Sequence, residues 1–208
     1  NETRGKKMEI KACMIPKQFK QIRPQIRMKP NYITVHETGN YDKGANAEAH
    51  ARLLGRGNTR VASWHYTVDD KGAIQHIPDT EVAWHAGDGG KGKGNRESIG
   101  IEICVNKDGN FIKSKENAII LIQRLMKQYG IPISRVVPHK HWSGKNCPER
   151  LLKVWDGFIR EIEGVKVSRM IRVEVDGKVV MDSQIPDVLW GVIRMNLGKE
   201  IVVRPREG

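Results

Sequence analysis

The sequence predicts an α/β fold: a mixed central β-sheet flanked by helices, followed by a small C-terminal β-rich module. Three observations carry this. Short runs with strand-like alternation, such as Tyr32–His36 and Ser98–Val105, are interspersed with segments of helical periodicity near 45–55 and 115–129. Such an alternation buries its apolar faces by laying helices against a sheet. Beyond Gly164 the texture changes to hairpin-like runs. A chain of 208 residues has room for one good-sized domain and a small one, read here as 8–164 and 165–208. Residues 1–7 precede Met8, where patterning begins at once, so Met8 reads as the natural start and 1–7 as an expression remnant.

Taken in order, Met8 to Pro30 is basic and interrupted by Pro16, Pro24 and Pro30, which predicts an extended arm. In Tyr32-Ile33-Thr34-Val35-His36, Ile33 and Val35 take one face and His36 the other, at the strand's end. Strand ends are where open sheets place functional groups. An Ala-rich helix over 45–55 closes at Gly55 and carries His50 as a packed or surface residue. Trp64–Asp69 and Ala73–Ile77 then read as a hairpin turned by Asp69-Asp70-Lys71-Gly72.

Five glycines between Gly87 and Gly94 predict a loop without helix or strand, placed at a cleft rim with Trp84 and His85 at its start. It lacks the Gly-x4-Gly-Lys-Ser/Thr pattern of a phosphate loop. In the next strand, Ile99, Ile101, Ile103 and Val105 form one apolar face. Glu102 lies on the other, between the small Gly100 and Cys104. A carboxylate there needs solvent or a partner, and the small neighbours leave room for a partner. Ser114 is expected to cap a helix over 115–129 that stops at Gly130. A short strand at Val136-Val137 leads into Pro138–Pro148, and Pro148 opens a helix running to Gly164. In the tail, Ile171–Met181 is a hairpin signal with Asp176-Gly177 as its turn, and 190–195 and 201–203 offer further strand.

The formal charge is +12, and the tail's eight Lys/Arg against six Asp/Glu leave +10 of it to the first 164 residues. That draws the protein toward polyanions without naming one, and a basic solvated surface accounts for it equally well. No basic stripe with interleaved aromatics supports a nucleic-acid binder. No apolar run approaches the roughly 18 residues of a membrane span, and no secretory signal is visible at the N-terminus. Cys13, Cys104 and Cys147 form an odd, unpaired set, which suits synthesis in a reducing cytosol and leaves a thiol for chemistry or metal.

The chemistry concentrates in Pro138-His-Lys-His-Trp-Ser-Gly-Lys-Asn-Cys-Pro148. Imidazole and thiolate together suit zinc. With His36 from the first strand, His139 and Cys147 complete three ligands with an open fourth position, the arrangement of a catalytic rather than a structural zinc. Glu102 would accept the proton of an attacking water, and Lys145 would stabilise an oxyanion on a carbonyl. His36-Glu37 does not begin a His-Glu-x-x-His motif, because Asn40 stands where its second histidine belongs.

Four stretches together mark a family: Ile-Thr-Val-His-Glu-Thr at 33–38, Ala-Trp-His-Ala-Gly at 83–87, Ser-Ile-Gly-Ile-Glu-Ile at 98–103, and His-Lys-His-Trp-Ser-Gly-Lys-Asn-Cys-Pro at 139–148. Residues from about 30 to 163 resemble the type-2 N-acetylmuramoyl-L-alanine amidases, the zinc family of phage endolysins, Bacillus cell-wall amidases and peptidoglycan-recognition proteins. The resemblance implies zinc on His36, His139 and Cys147, catalysis by Glu102 and Lys145, and cleavage of the amide between N-acetylmuramic acid and L-alanine in peptidoglycan. The family's His-x7-Cys spacing favours His139 over His141, which would then either back a ligand or face substrate. His85 is read as a further substrate contact, and His65 as either structural or functional. Trp64 stands where some phage members carry a catalytic tyrosine, which leaves more proton transfer to Glu102 and puts Trp64 beside the substrate. His76 carries no signal.

The tail resembles short wall-binding modules only loosely. The expected protein is a monomeric endolysin, held in the cytosol and released to the wall through a holin-type breach if phage-encoded, whose charge favours teichoic acid or another anionic wall polymer. The alternative is a peptidoglycan-recognition protein without catalysis. Loss of the thiolate ligand is the usual mark of that state, and Cys147 is present.

Overall fold

The computed structural model describes residues 8–164 in full and, beyond them, the backbone of three strands. The chain divides between Leu152 and Lys153 into two compact units, twelve residues before the sequence's own texture change.

The first unit is built on a six-stranded sheet: β1 (Ile10–Ala12), β2 (Tyr32–Glu37), β3 (Tyr66–Val68), β4 (Ala73–Gln75), β5 (Ser98–Ile103) and β6 (Val136–Pro138), in the order β1-β4-β3-β5-β2-β6. Only β3 and β4 pair antiparallel, as the Asp69–Gly72 turn requires; the other neighbours are parallel. Asp69 builds that turn by accepting the N–H groups of Lys71 and Gly72 on Oδ1. Alternation then sorts the sheet. Ile33, Val35, Ile99, Ile101 and Ile103 are fully buried on one face, which α3 (Phe111–Tyr129) covers with Ala118, Leu121, Ile122 and Leu125. The opposite face carries Thr34, His36, Thr67 and Glu102. There α1 (Ala47–Gly55) packs Ala47 and Ala51 against Ile74 and Cys104.

Local chemistry sets the boundaries. Helix α3 starts three residues before the expected cap, because the Asn110 side chain accepts from Lys113 N–H, and Ser114 instead donates back to the Asn110 carbonyl. It ends at Gly130, which has φ +66°. The N-terminal arm is not free. It contributes β1, and its backbone bonds to Gln75, His76 and Thr80. Arg23 pins it through a bidentate ion pair with Glu81, at 2.8 and 2.9 Å. The glycine-rich segment, expected to hold no regular structure, ends in a short helix, α2 (Lys93–Glu97). The helix expected from Pro148 to Gly164 is two, α5 (Glu149–Leu152) and α6 (Trp155–Ile162), separated where Val154 leaves helical dihedrals.

The tail forms the expected hairpin: β7 (Ser168–Val175) pairs antiparallel with β8 (Lys178–Pro186), and β9 (Val202–Pro205) lies on the other side of β7. The strand expected over 190–195 lies outside the described residues. No helix among the described residues is long and apolar enough to cross a membrane.

Candidate active site and metal centre

The site lies at the ends of β2, β5 and β6, on the sheet's polar face. His36, one residue from the end of its strand, stands directly opposite Glu102 in the β2–β5 ladder. His139 follows β6, its N–H bonded to the Val35 carbonyl at 3.1 Å. Trp142, in α4 (Lys140–Ser143), donates its indole N–H to Thr34 Oγ1 at 2.8 Å, which seats this short helix on the sheet and aims His139 inward. The loop then closes on itself. Lys140 N–H donates to the Cys147 carbonyl, and Cys147 N–H to that of Lys145. The carboxylate of Glu37 accepts the Arg150 and Leu151 N–H groups at the start of α5, each at 3.0 Å, and so anchors the chain just after Cys147.

These constraints bring His36, His139 and Cys147 together, all buried, with their ligand atoms within 4.8 Å of one another. His36 Nδ1 lies 2.9 Å from His139 Nδ1 and 3.9 Å from Cys147 Sγ. His141 is exposed and stacks edge-on against Trp142, so it does not enter the cluster.

Hydrogen-bond partners settle which nitrogens carry protons. The Ser98 carbonyl accepts from His85 Nε2, which leaves His85 Nδ1 as the acceptor for His36 Nε2–H at 3.0 Å. The Ala86 backbone lies beside the His139 ring and favours its protonated form, and the ring's Nε2 is on the Gly87 side. His36 Nδ1 therefore carries a bare lone pair, and His139 Nδ1 faces it. Burial, followed by neighbouring histidines and Lys145, holds His36 well below the usual histidine range, and burial followed by Lys145 lowers His139. At 2.9 Å a His139 Nδ1–H would donate to His36 Nδ1, whereas two bare Nδ1 atoms would repel unless a cation lay between them. Burial and the nearby Glu102 push the Cys147 thiol up to about 12, so a thiolate needs that cation too. The donor set fits a divalent metal of zinc's softness.

Glu102 completes the cluster. Its Oε1 is 3.9 Å from His36 Nδ1, and its buried Oε2 has no hydrogen-bond partner. Burial pushes its carboxyl up to about 7, against the pull of Lys145. Lys145 itself is exposed, and its charge acts on His36, Glu102, His139 and Cys147 alike.

Two expected substrate contacts are buried. Trp64 is 9% exposed in an apolar cluster with Ile15, Ile22, Leu54, Ile77 and Ala83, and its indole N–H donates to Thr67 Oγ1 at 2.7 Å. It packs as a core residue. His85 is 8% exposed, with both ring nitrogens engaged inside the protein. His65 is structural: it donates to the Glu81 carbonyl and accepts from Gly100 N–H. The sequence reading missed Asn95 and Asp88, which organise the glycine-rich segment. Asn95 Oδ1 accepts from both His85 and Ala86 N–H, and Asp88 accepts from Gly94 and Asn95 N–H. An amide directly after a glycine run was the available signal.

The profile of the N-acetylmuramoyl-L-alanine amidase family matches residues 26–150, a segment that contains His36, Glu102, His139, Lys145 and Cys147. The N-acetylmuramoyl-L-alanine amidase CwlH of Bacillus subtilis strain 168 is 56% identical over 140 residues, 67% of this chain and 56% of CwlH. The chain spans about half the length of the curated relatives it matches. The catalytic domain of XlyA superposes with a TM-score of 0.72 at 52% identity, covering 74% of this chain and 99% of that one. A mutant endolysin from Bacillus subtilis gives the same TM-score and identity over 75% and 99%. A profile that covers more than half the chain and encloses the whole converging cluster leaves one assignment: this chain belongs to the type-2 N-acetylmuramoyl-L-alanine amidase family.

Proposed function

We propose that the chain is a zinc-dependent peptidoglycan hydrolase that cleaves the amide between the lactyl group of N-acetylmuramic acid and the L-alanine of the stem peptide. The observation that carries this reading is the Glu102 carboxylate, its Oε2 without a hydrogen-bond partner, beside a three-donor set of His36, His139 and Cys147. Those three residues would hold the ion. Bound zinc supplies Lewis acidity toward a carbonyl and toward water. Glu102, poised near neutrality, takes the proton of the attacking water as its oxygen adds to the carbonyl carbon. It then returns that proton to the alanine nitrogen as the C–N bond breaks, leaving a lactyl carboxylate and a free amine. Lys145 contributes positive charge where the carbonyl oxygen becomes anionic.

The test is digestion of purified peptidoglycan with identification of new end groups. Free L-alanine amino termini without new reducing sugars are expected; new reducing sugars, or no new ends, would overturn the reading. The same reading makes the protein a monomeric endolysin of the kind to which the endolysin relative belongs, released to the wall from the cytosol. Its net charge of +12 favours walls that carry teichoic acid or other anionic polymers, and residues 165–208 act as a wall-binding module behind a catalytic domain over 8–164.

A further inference from the structure

The glycine-rich segment does not line the site from outside; it stands behind it. His36 donates Nε2–H to His85 Nδ1 at 3.0 Å, and His85 in turn donates Nε2–H to the Ser98 carbonyl at 3.2 Å. The backbone of the next residue, Ala86, lies beside the His139 ring and favours its protonated form. One dipeptide thus fixes both imidazoles. It is itself held by a single buried side chain, because Asn95 Oδ1 accepts His85 N–H at 2.8 Å and Ala86 N–H at 2.9 Å. Asn95 is 4% exposed, and its Nδ2 donates to the Gly89 carbonyl, which folds the loop back on itself. Room for the arrangement comes from the neighbouring strand: a Cβ on Gly100 would lie 2.6 Å from His85 Cγ.

We infer that His85 and the Ala86 carbonyl, clamped by Asn95, are positioning groups of the metal centre. They hold His36 and His139 in the Nε2–H tautomer, so that both Nδ1 lone pairs converge with Cys147 Sγ. Outer partners of this kind orient a ligating histidine, and their loss costs about 10–100-fold in metal affinity. The inference rests on the zinc reading above, so the experiment must separate the two.

Zinc affinity is measured by chelator competition on the full chain, for wild type, His85→Leu and His85→Asn, alongside thermal unfolding of each metal-free protein. Asparagine places Oδ1 close to where His85 has Nδ1, so it can accept from His36, whereas leucine cannot. Both variants lose the bond to the Ser98 carbonyl, so both unfold at lower temperature. Only His85→Leu is expected to lose affinity, by about 10–100-fold, with His85→Asn within about threefold of wild type. Independently of any variant, long-range 15N–1H correlation spectra of metal-free wild type should show His36 and His139 protonated at Nε2. A His36 protonated at Nδ1, or equal affinity in wild type and His85→Leu, would overturn the inference while leaving the zinc reading intact. Wild type that takes up no zinc would overturn the zinc reading and the inference with it.

Discussion

His36 and Glu102 are partners in the β2–β5 ladder, one residue directly opposite the other, with Nδ1 and Oε1 3.9 Å apart. Strand pairing alone therefore sets the proposed base beside a proposed metal donor, with no loop in between. This is the stiffest way to hold such a pair, since neither side chain depends on a mobile segment for its place.

From this follows the behaviour of Glu102→Gln. The amide keeps the shape but cannot take a proton. Zinc content should stay at the wild-type level while turnover of a soluble muropeptide falls about 10²–10⁴-fold. Wild-type turnover would leave the base unidentified.

The donor set predicts a sharp contrast within one short motif. His139→Ala and Cys147→Ala should each abolish stoichiometric zinc binding and hydrolysis together, because a two-donor remnant holds the ion poorly. His141→Ala, which changes an exposed ring outside the cluster, should bind zinc like wild type. Metal analysis of the purified proteins distinguishes them; full occupancy in His139→Ala would move the assignment.

Much of this site was legible because its chemistry rides on local pattern. The alternation of Tyr32–His36 and Ser98–Ile103 assigns His36 and Glu102 to one face without any knowledge of the fold, and the ladder then makes them neighbours. The dense motif over 138–148 supplies two of the three donors that converge. What stayed hidden depends on contacts distant in sequence. Trp64 is a core residue because the arm, through Ile15 and Ile22, folds over it, and no periodicity in a proline-interrupted arm foretells that. His85 reads as a rim residue beside a glycine run until Asn95 draws the run inward. The arm's β1 was missed for the same reason: three exposed residues become a strand only because β4 offers an open edge.

Gly100→Ala probes that hidden layer. The added methyl would stand 2.6 Å from the buried His85 ring, which is pinned at both nitrogens and cannot yield cheaply. Overpacking of this kind costs about 1–3 kcal/mol. Denaturant unfolding should show that loss, and zinc affinity should fall with it as His85 is pushed from His36. Wild-type stability would mean that the ring has room to shift.

The tail can be tested by truncation. A chain ended at Gly164 should hydrolyse soluble muropeptide at close to the full rate yet sediment less with intact walls. Equal losses in both assays would assign the tail a structural role.

Stability should also depend on pH through a histidine remote from the metal. His76 is fully buried and sits at the end of a relay: Trp64 N–H donates to Thr67 Oγ1, Thr67 donates to His76 Nε2, and His76 Nδ1–H donates to the Cys13 carbonyl. Protonating Nε2 would point a new N–H at a hydroxyl whose own proton already points back. Burial, with His50 and His65 nearby, lowers His76 to about 4, against the Cys13 bond that raises it. The folded pKa lies below the unfolded one, so the unfolded chain binds the proton first. The contribution of His76 is complete above about pH 6.5 and is lost as pH falls toward 4. Between about pH 7.5 and pH 5 this amounts to roughly 2 kcal/mol. Denaturant unfolding of metal-free protein at both values should show wild type losing more stability than His76→Gln, by about that margin. Chelator in every sample keeps the ligands' own titration from entering through bound metal, and parallel pH slopes for the two proteins would remove His76 as the cause.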